Sequence, residues 1–89
     1  MEVYFKDLKE EYNIIDIRDK EEYNKGHFIN AINIPYNLII CFPSVYLSKD
    51  KTYYIYCTSG IRSKKVCDLL RIMHYKVINV KDGYKNKLF

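Results

Sequence analysis

The sequence contains no long apolar stretch. The run Leu38 to Phe42 falls far short of the ~20 residues a membrane span needs, so no membrane association is expected. The opening MEVYFKDLKEE carries charge from Glu2 onward and has no apolar h-region. No secretory leader is expected from it, and the cytoplasm is the expected compartment. Cysteine is sparse. Cys41, Cys57 and Cys67 are odd in number and form no C-x-x-C pair, which argues for reduced thiols over a disulfide frame. His27 and His74 stand at no zinc-ligand spacing to them, so neither a metal nor a cofactor is expected. Charge of one sign is not concentrated: 15 Lys+Arg against 11 Asp+Glu give +4, spread along the chain. That balance favours small anions or acidic proteins as partners, and no nucleic-acid motif is present. There is no linker and no internal repeat. The 89 residues are expected to form one domain over 1–89, since a second would fall below about 50 residues with its own core. The 48 % apolar content rules out a disordered chain.

Strand-like and helix-like segments alternate along the chain. Asn13 to Ile17 is a short β-branched run, followed by a polar, helix-tolerant stretch from Lys20 to Lys25 with Asp19 as its N-cap and Gly26 as its end. Ala31 to Ile34 reads as a second strand, stopped by Pro35. Asn37 to Leu47 fits one helix or two short turns broken at Pro43. Thr52 to Tyr56 is apolar or aromatic on both faces, as a strand covered on both sides should be. A longer helix follows, with Val66, Leu69, Leu70 and Met73 at i, i+3, i+4 and i+7 on its apolar face. Lys76 to Val80 is a further strand, Asp82-Gly83 a turn, and Glu2 to Phe5 an edge strand. This alternation implies βαβ units, hence an α/β fold with a mainly parallel sheet and helices on both faces.

In such sheets function gathers at the C-terminal strand ends. Strand 52–56 runs directly into Cys57-Thr58-Ser59-Gly60-Ile61-Arg62, which leads into the best helix. A short loop closing over a helix N-terminus turns backbone N–H groups toward one point and favours negative charge there. A thiol in that field should have a depressed pKa and be a nucleophile near neutral pH. Gly60 permits tight or positive-φ geometry. Arg62 adds a planar cation suited to oxyanions, and the Thr58 and Ser59 hydroxyls can add donors.

The loop Cys57 to Arg62, with Ser63 after it, resembles the active-site loop of rhodanese-like sulfurtransferases. The upstream Asp16-Ile17-Arg18, Glu22-Tyr23, Gly26-His27, Ala31 and Asn33-Ile34-Pro35 are similar to that family's N-terminal signature. The resemblance covers the chain from about Tyr4 to Tyr84 and implies a single rhodanese-like domain with a five-stranded, mainly parallel sheet. It also implies a sulfur-transfer activity through Cys57, with Thr58, Ser59, Gly60, Ile61 and Arg62 binding substrate. The expected partners are a small anionic sulfur donor such as thiosulfate and a thiol or cyanide acceptor, or else a sulfur-relay protein. A non-catalytic binding module is the other role that rhodanese-like domains take. Near the C-terminus, Asp82-Gly83-Tyr84-Lys85-Asn86-Lys87 has one glycine where many relatives carry two, and the chain has no tryptophan.

Rhodanese-like phosphatases and arsenate reductases are the nearest rivals. In the phosphatases five residues separate cysteine from arginine; here Thr58, Ser59, Gly60 and Ile61 make four, a smaller cradle better suited to one added sulfur than to a phosphoryl group. Other candidates have structural readings. Arg18 is expected to pair with the neighbouring Asp16, Asp19 or Glu22, His27 to be a satisfied structural histidine, and Cys41 and Cys67 to be buried core residues. Cys67 as a resolving cysteine is the alternative. Lys64 and Lys65 are expected to be solvated near the pocket mouth.

Overall fold

The computed structural model describes residues 1–85. Five strands, β1 (Glu2–Val3), β2 (Asn13–Asp16), β3 (Ile32–Asn33), β4 (Thr52–Tyr56) and β5 (Lys76–Val80), form one sheet in the order β1-β5-β4-β2-β3. Every neighbouring pair is parallel. Helices α1 (Lys20–Lys25), α2 (Tyr36–Cys41), α3 (Pro43–Tyr46) and α4 (Ile61–Ile72) supply the crossovers. The α/β class and the parallel sheet are therefore as the alternation implied, and the five strands as the resemblance implied.

Alternation along each strand divides the core into two layers. Ile15, Ile17, Tyr53, Ile55, Cys57 and Val77 face one side, where Ile39 of α2 and Val66, Cys67 and Leu70 of α4 cover them. Ile14, Tyr56 and Val80 face the other side, packed with Phe5, Leu8 and Ala31. Aromatic rings dominate that second layer. Phe5 meets Phe28, Tyr56 and Tyr84 edge-on at 5.6, 6.1 and 5.4 Å.

Several boundaries and faces differ from the sequence expectation, each for a local reason. The edge strand β1 stops at Val3, because Phe5 turns inward at the start of a 3₁₀ turn, Phe5–Asp7, and is buried. Asp82 accepts the Phe5 N–H at 2.8 Å and anchors that turn. The 37–47 segment resolves into two short helices, with Pro35 at the N-cap of α2 and Pro43 opening α3. Asp19 holds the N-cap position of α1 but makes no side-chain cap bond. Cys41 is exposed, contrary to its expected place in the core; a six-residue helix buries one residue here, and that residue is Ile39. In α4 the buried stripe is Ser63, Val66, Cys67 and Leu70, while Leu69 is 44 % exposed. The stripe is turned from the apolar one because the helix packs a serine and a cysteine against the sheet. Asn86 and Lys87 lie outside the described residues.

The register sets the site. Asp16 pairs with Tyr56, so β2 and β4 end level, and Ile17-Arg18 and Cys57 leave the sheet at the same edge. Asn79 of β5 lies opposite Ile55, on the same face as Cys57.

Candidate active site

Cys57 is the first residue after β4 and is 5 % exposed. The chain turns back beneath its side chain through Gly60, the N-cap of α4, at φ 89° and ψ −10°. Gly60 has no side chain with which to cap α4. The sulfur does so instead: the Gly60 N–H donates to Sγ at 3.1 Å and the Ser63 N–H at 3.3 Å. The Ser63 hydroxyl stands 3.4 Å from the sulfur. Burial alone would push the thiol up, yet the bonds from the Ser63 hydroxyl and from the N–H groups of Ser63, Gly60 and Ser59 outweigh it. The net shift is downward, toward the thiolate.

The loop is held from below by β5 and its following turn. Tyr84 N donates to the Cys57 carbonyl at 2.8 Å. Gly60 packs against the Lys81 carbonyl and Gly83, at φ 72°, against the Thr58 carbonyl, so closely that a Cβ on either would stand 2.2 Å from that oxygen. Two glycines thus allow two stretches of backbone to touch.

Above the sulfur opens a pocket of about 430 Å³. The loop residues Thr58, Ser59, Ile61 and Arg62 line one side, and Ile17, Arg18, Asp19 and Glu22 the other. Gly60 serves from beneath, through its N–H. The Thr58 hydroxyl donates to Glu22 at 3.4 Å and the Ser59 hydroxyl accepts from the Ile61 N–H at 3.5 Å. The hydroxyl at the sulfur is instead that of Ser63. The exposed Arg62 lays its guanidinium over the Tyr36 ring, 5.0 Å from its centre, at the mouth.

Arg18 pairs with Asp16 at 2.8 Å and donates to the Gly26 carbonyl at 2.6 Å, tying the end of β2 to the end of α1. His27 takes its Nδ1 bond to the Tyr23 carbonyl at 2.7 Å and stacks on the Tyr23 ring, a structural placement. Cys67 is fully buried in α4, and burial pushes its thiol up to about 12. Lys64 and Lys65 are exposed, Lys64 paired with Asp68. Sequence reasoning gave no role to Ser63 and passed over Asn79, which accepts the Ser63 hydroxyl at 2.5 Å while 1 % exposed. The signal for Asn79 was an amide at an inward position of a buried strand, where an apolar residue is the default. Asp19 and Glu22 as pocket walls follow from the β2–β4 register, which is not readable locally.

The fold is thus an all-parallel α/β sheet with a cysteine at a central strand end that caps the next helix with its own sulfur, in a seat that favours the thiolate. Residues 2–87 match the family model described as rhodanese-like domain, and the chain belongs to that family. It is 38 % identical over 74 residues to YtwF of Bacillus subtilis, provisionally named a sulfurtransferase, covering 83 % of this chain and 71 % of that one. It is 40 % identical over 76 residues to a Porphyra purpurea protein provisionally named molybdopterin-synthase adenylyltransferase. That match takes in 81 % of this chain but only 19 % of the longer relative. The crystal structure of a rhodanese-like domain protein from Staphylococcus aureus superposes with a TM-score of 0.75 at 33 % identity, covering 84 % of this chain and 72 % of that one. Among the described residues no helix is long and apolar enough to cross a membrane.

Proposed function

We propose that residues 1–89 act as one sulfurtransferase unit in which Cys57 carries a sulfane sulfur from donor to acceptor. The observation that supports this most directly is the seat of Sγ: two N–H donors at 3.1 and 3.3 Å, under an open pocket, on a thiol shifted toward its anion. With thiosulfate as donor, the Cys57 thiolate attacks the outer sulfur. The new S–S bond forms as the old one breaks, and sulfite leaves with its electron pair. The persulfide is an anion one atom further out. The loop N–H groups and the N-terminus of α4 stabilise it as they do the thiolate. A thiol or cyanide acceptor then attacks the terminal sulfur, and the thiolate leaves. Arg62 holds the anionic donor at the mouth. Thr58, Ser59 and Ile61 shape the pocket, and Gly60 supplies the N–H beneath. The setting that keeps such a thiol reduced is cytoplasmic.

A relay that receives its sulfur from a partner protein is the second reading. It is favoured by the Porphyra purpurea relative, in which the matched stretch is part of a much longer chain named for molybdopterin-synthase chemistry. The test is intact mass after incubation with thiosulfate. A gain of about 32 Da that is absent in Cys57→Ser, with no Cys57-dependent hydrolysis of an aryl phosphate, is expected. Aryl-phosphate turnover lost in Cys57→Ser would overturn the reading in favour of a phosphatase. Loading from a protein persulfide but not from thiosulfate would establish the relay.

A further inference from the structure

Behind Cys57, on the side away from the pocket, runs a buried polar chain that sulfur transfer as described does not use. The Ser63 hydroxyl lies 2.5 Å from Asn79 Oδ1 and 3.4 Å from Cys57 Sγ. Ser63 is fully buried and Asn79 is 1 % exposed. The Asn79 amide can face only one way. Its Nδ2 donates to Glu2 Oε2 at 3.0 Å and to the Gly60 carbonyl at 3.3 Å, both of which are acceptors only. The amide oxygen must therefore point at Ser63, and in that contact Ser63 is the donor. A hydroxyl has one proton. While Cys57 is a thiol the chain is satisfied throughout, with the S–H donating to the Ser63 oxygen. Once the sulfur is a thiolate, two acceptors face one hydroxyl proton.

We propose that Asn79, locked in orientation by Glu2 and the Gly60 carbonyl, competes with the Cys57 sulfur for the Ser63 proton and thereby sets how tightly the loop holds the sulfur anion. This rests on the reading of Cys57 as the sulfur-carrying nucleophile. The chemical consequence is a balance. A fully committed Ser63 donor would deepen the thiolate, which makes Cys57 a better leaving group when the persulfide gives up its outer sulfur but a weaker nucleophile toward the donor, since nucleophilicity falls with pKa. Asn79 withdraws part of that donor. The Glu2 carboxylate polarises the amide along the same line of bonds. The bond from Asn79 is in turn the largest influence on the Glu2 carboxyl, holding it below its ordinary range. Asn79 is thus a positioning residue, acting on the sulfur through Ser63. The other charges around the sulfur are Arg18, Asp19, Glu22 and Arg62 across the pocket, with Lys64, Lys81 and the Met1 amino group beside Glu2.

The test is a double-mutant cycle read by the pH dependence of Cys57 alkylation with iodoacetamide, resolved from Cys41 and Cys67 by peptide mapping. Ser63→Ala removes the donor and should raise the midpoint by about one pH unit. Asn79→Leu, close in shape and without the acceptor, should lower it by about half a unit or more. In the Ser63→Ala background the same Asn79→Leu change should move nothing. An Asn79→Leu effect that is equal in both backgrounds, or upward, would overturn the competition, because a merely structural role predicts one of those. Should Asn79→Leu fail to fold, Glu2→Gln at the sheet edge replaces it, measured in about 0.5 M salt to screen its direct field. A small fall that vanishes with Ser63→Ala is then expected, and no fall refutes the proposal. A cycle that behaves as expected in a protein that takes up no sulfur would sink the proposed function alone. A persulfide that forms normally with an additive cycle would sink this inference alone.

Discussion

Replacing Gly60 by alanine tests whether the loop is held where it is by backbone contact. Gly60 has φ 89°, and its new Cβ would stand 2.2 Å from the Lys81 carbonyl oxygen and 2.6 Å from its carbon. The positive φ costs about 1–2 kcal/mol for a residue with a Cβ. Relieving the overlap costs about 1–3 kcal/mol, since both partners are backbone and neither can rotate away. The sum, about 2–5 kcal/mol, is a large part of the roughly 4–13 kcal/mol expected for a chain of this size. The cheapest relief is to lift the loop off Lys81, which withdraws the Gly60 N–H from Cys57 Sγ, now 3.1 Å away. Stability and thiol acidity should therefore fall together. Gly83→Ala meets the Thr58 carbonyl at the same 2.2 Å and should lose comparable stability. Gly26→Ala is the control: φ is 161°, extended backbone, and the Cβ meets only the Tyr84 phenol oxygen at 3.1 Å, the free end of a side chain. It should cost less than about 1 kcal/mol. Urea unfolding followed by circular dichroism gives the three stabilities, and alkylation against pH gives the thiol midpoint. If Gly60→Ala fell within about 0.5 kcal/mol of Gly26→Ala with an unmoved midpoint, the contact with Lys81 would not be what fixes the loop.

Arg62→Ala should lower kcat/KM for thiosulfate about tenfold, the low end for a charge-assisted contact because the guanidinium is exposed and screened. An uncharged sulfur donor should lose less and Arg62→Lys should fall between, so equal losses for both donors in steady-state kinetics would exclude donor binding. Cys67 is buried neutral with its thiol pushed up to about 12, against 9.0 as the ordinary value. A raised folded-state pKa gives stability that is complete below the unfolded value and lost as pH rises toward the folded one. Cys67 should thus steepen the stability loss between about pH 9 and 12 by up to ~1.4 kcal/mol per unit. Denaturant melts of Cys67→Ala across that range should show a shallower slope, with sulfur transfer kept at neutral pH. Loss of transfer in the folded variant would restore the resolving-cysteine reading.

What was legible in the sequence was what is local. The β-branched and aromatic run before Cys57, the glycine three residues on and the helix after it define the strand, the turn and the sulfur's seat without help from distant residues. The D-x-R segment announced its ion pair for the same reason, since Asp16 and Arg18 are two residues apart and bond directly. Misplaced features depended on choices that periodicity does not make. An apolar count put Leu69 inward and left Ser63 unassigned, because it had no way to see that a buried serine would find two polar partners, one of them 16 residues away. Cys41 and Ile39 are both apolar and two residues apart, and only the docking of α2 on the sheet decides which is buried.

The same distinction explains why the back of the site was invisible. Glu2 and Asn79 are 77 residues apart, yet they meet because β1 pairs with β5 at the register Glu2↔Asn79. Ser63 reaches them because α4 must lie across β5 to bury Val66, Cys67 and Leu70 in the same layer as Val77. The pocket is similarly split: the loop side is contiguous in the chain, while Asp19 and Glu22 arrive by the level ending of β2 and β4. A parallel sheet brings its functional residues together by register, and register is fixed by which faces are buried over the whole sheet. The nucleophile of such a fold can therefore be read from one segment. The groups that tune it come from strands distant in sequence, and the chain Glu2–Asn79–Ser63 is where that tuning is to be tested.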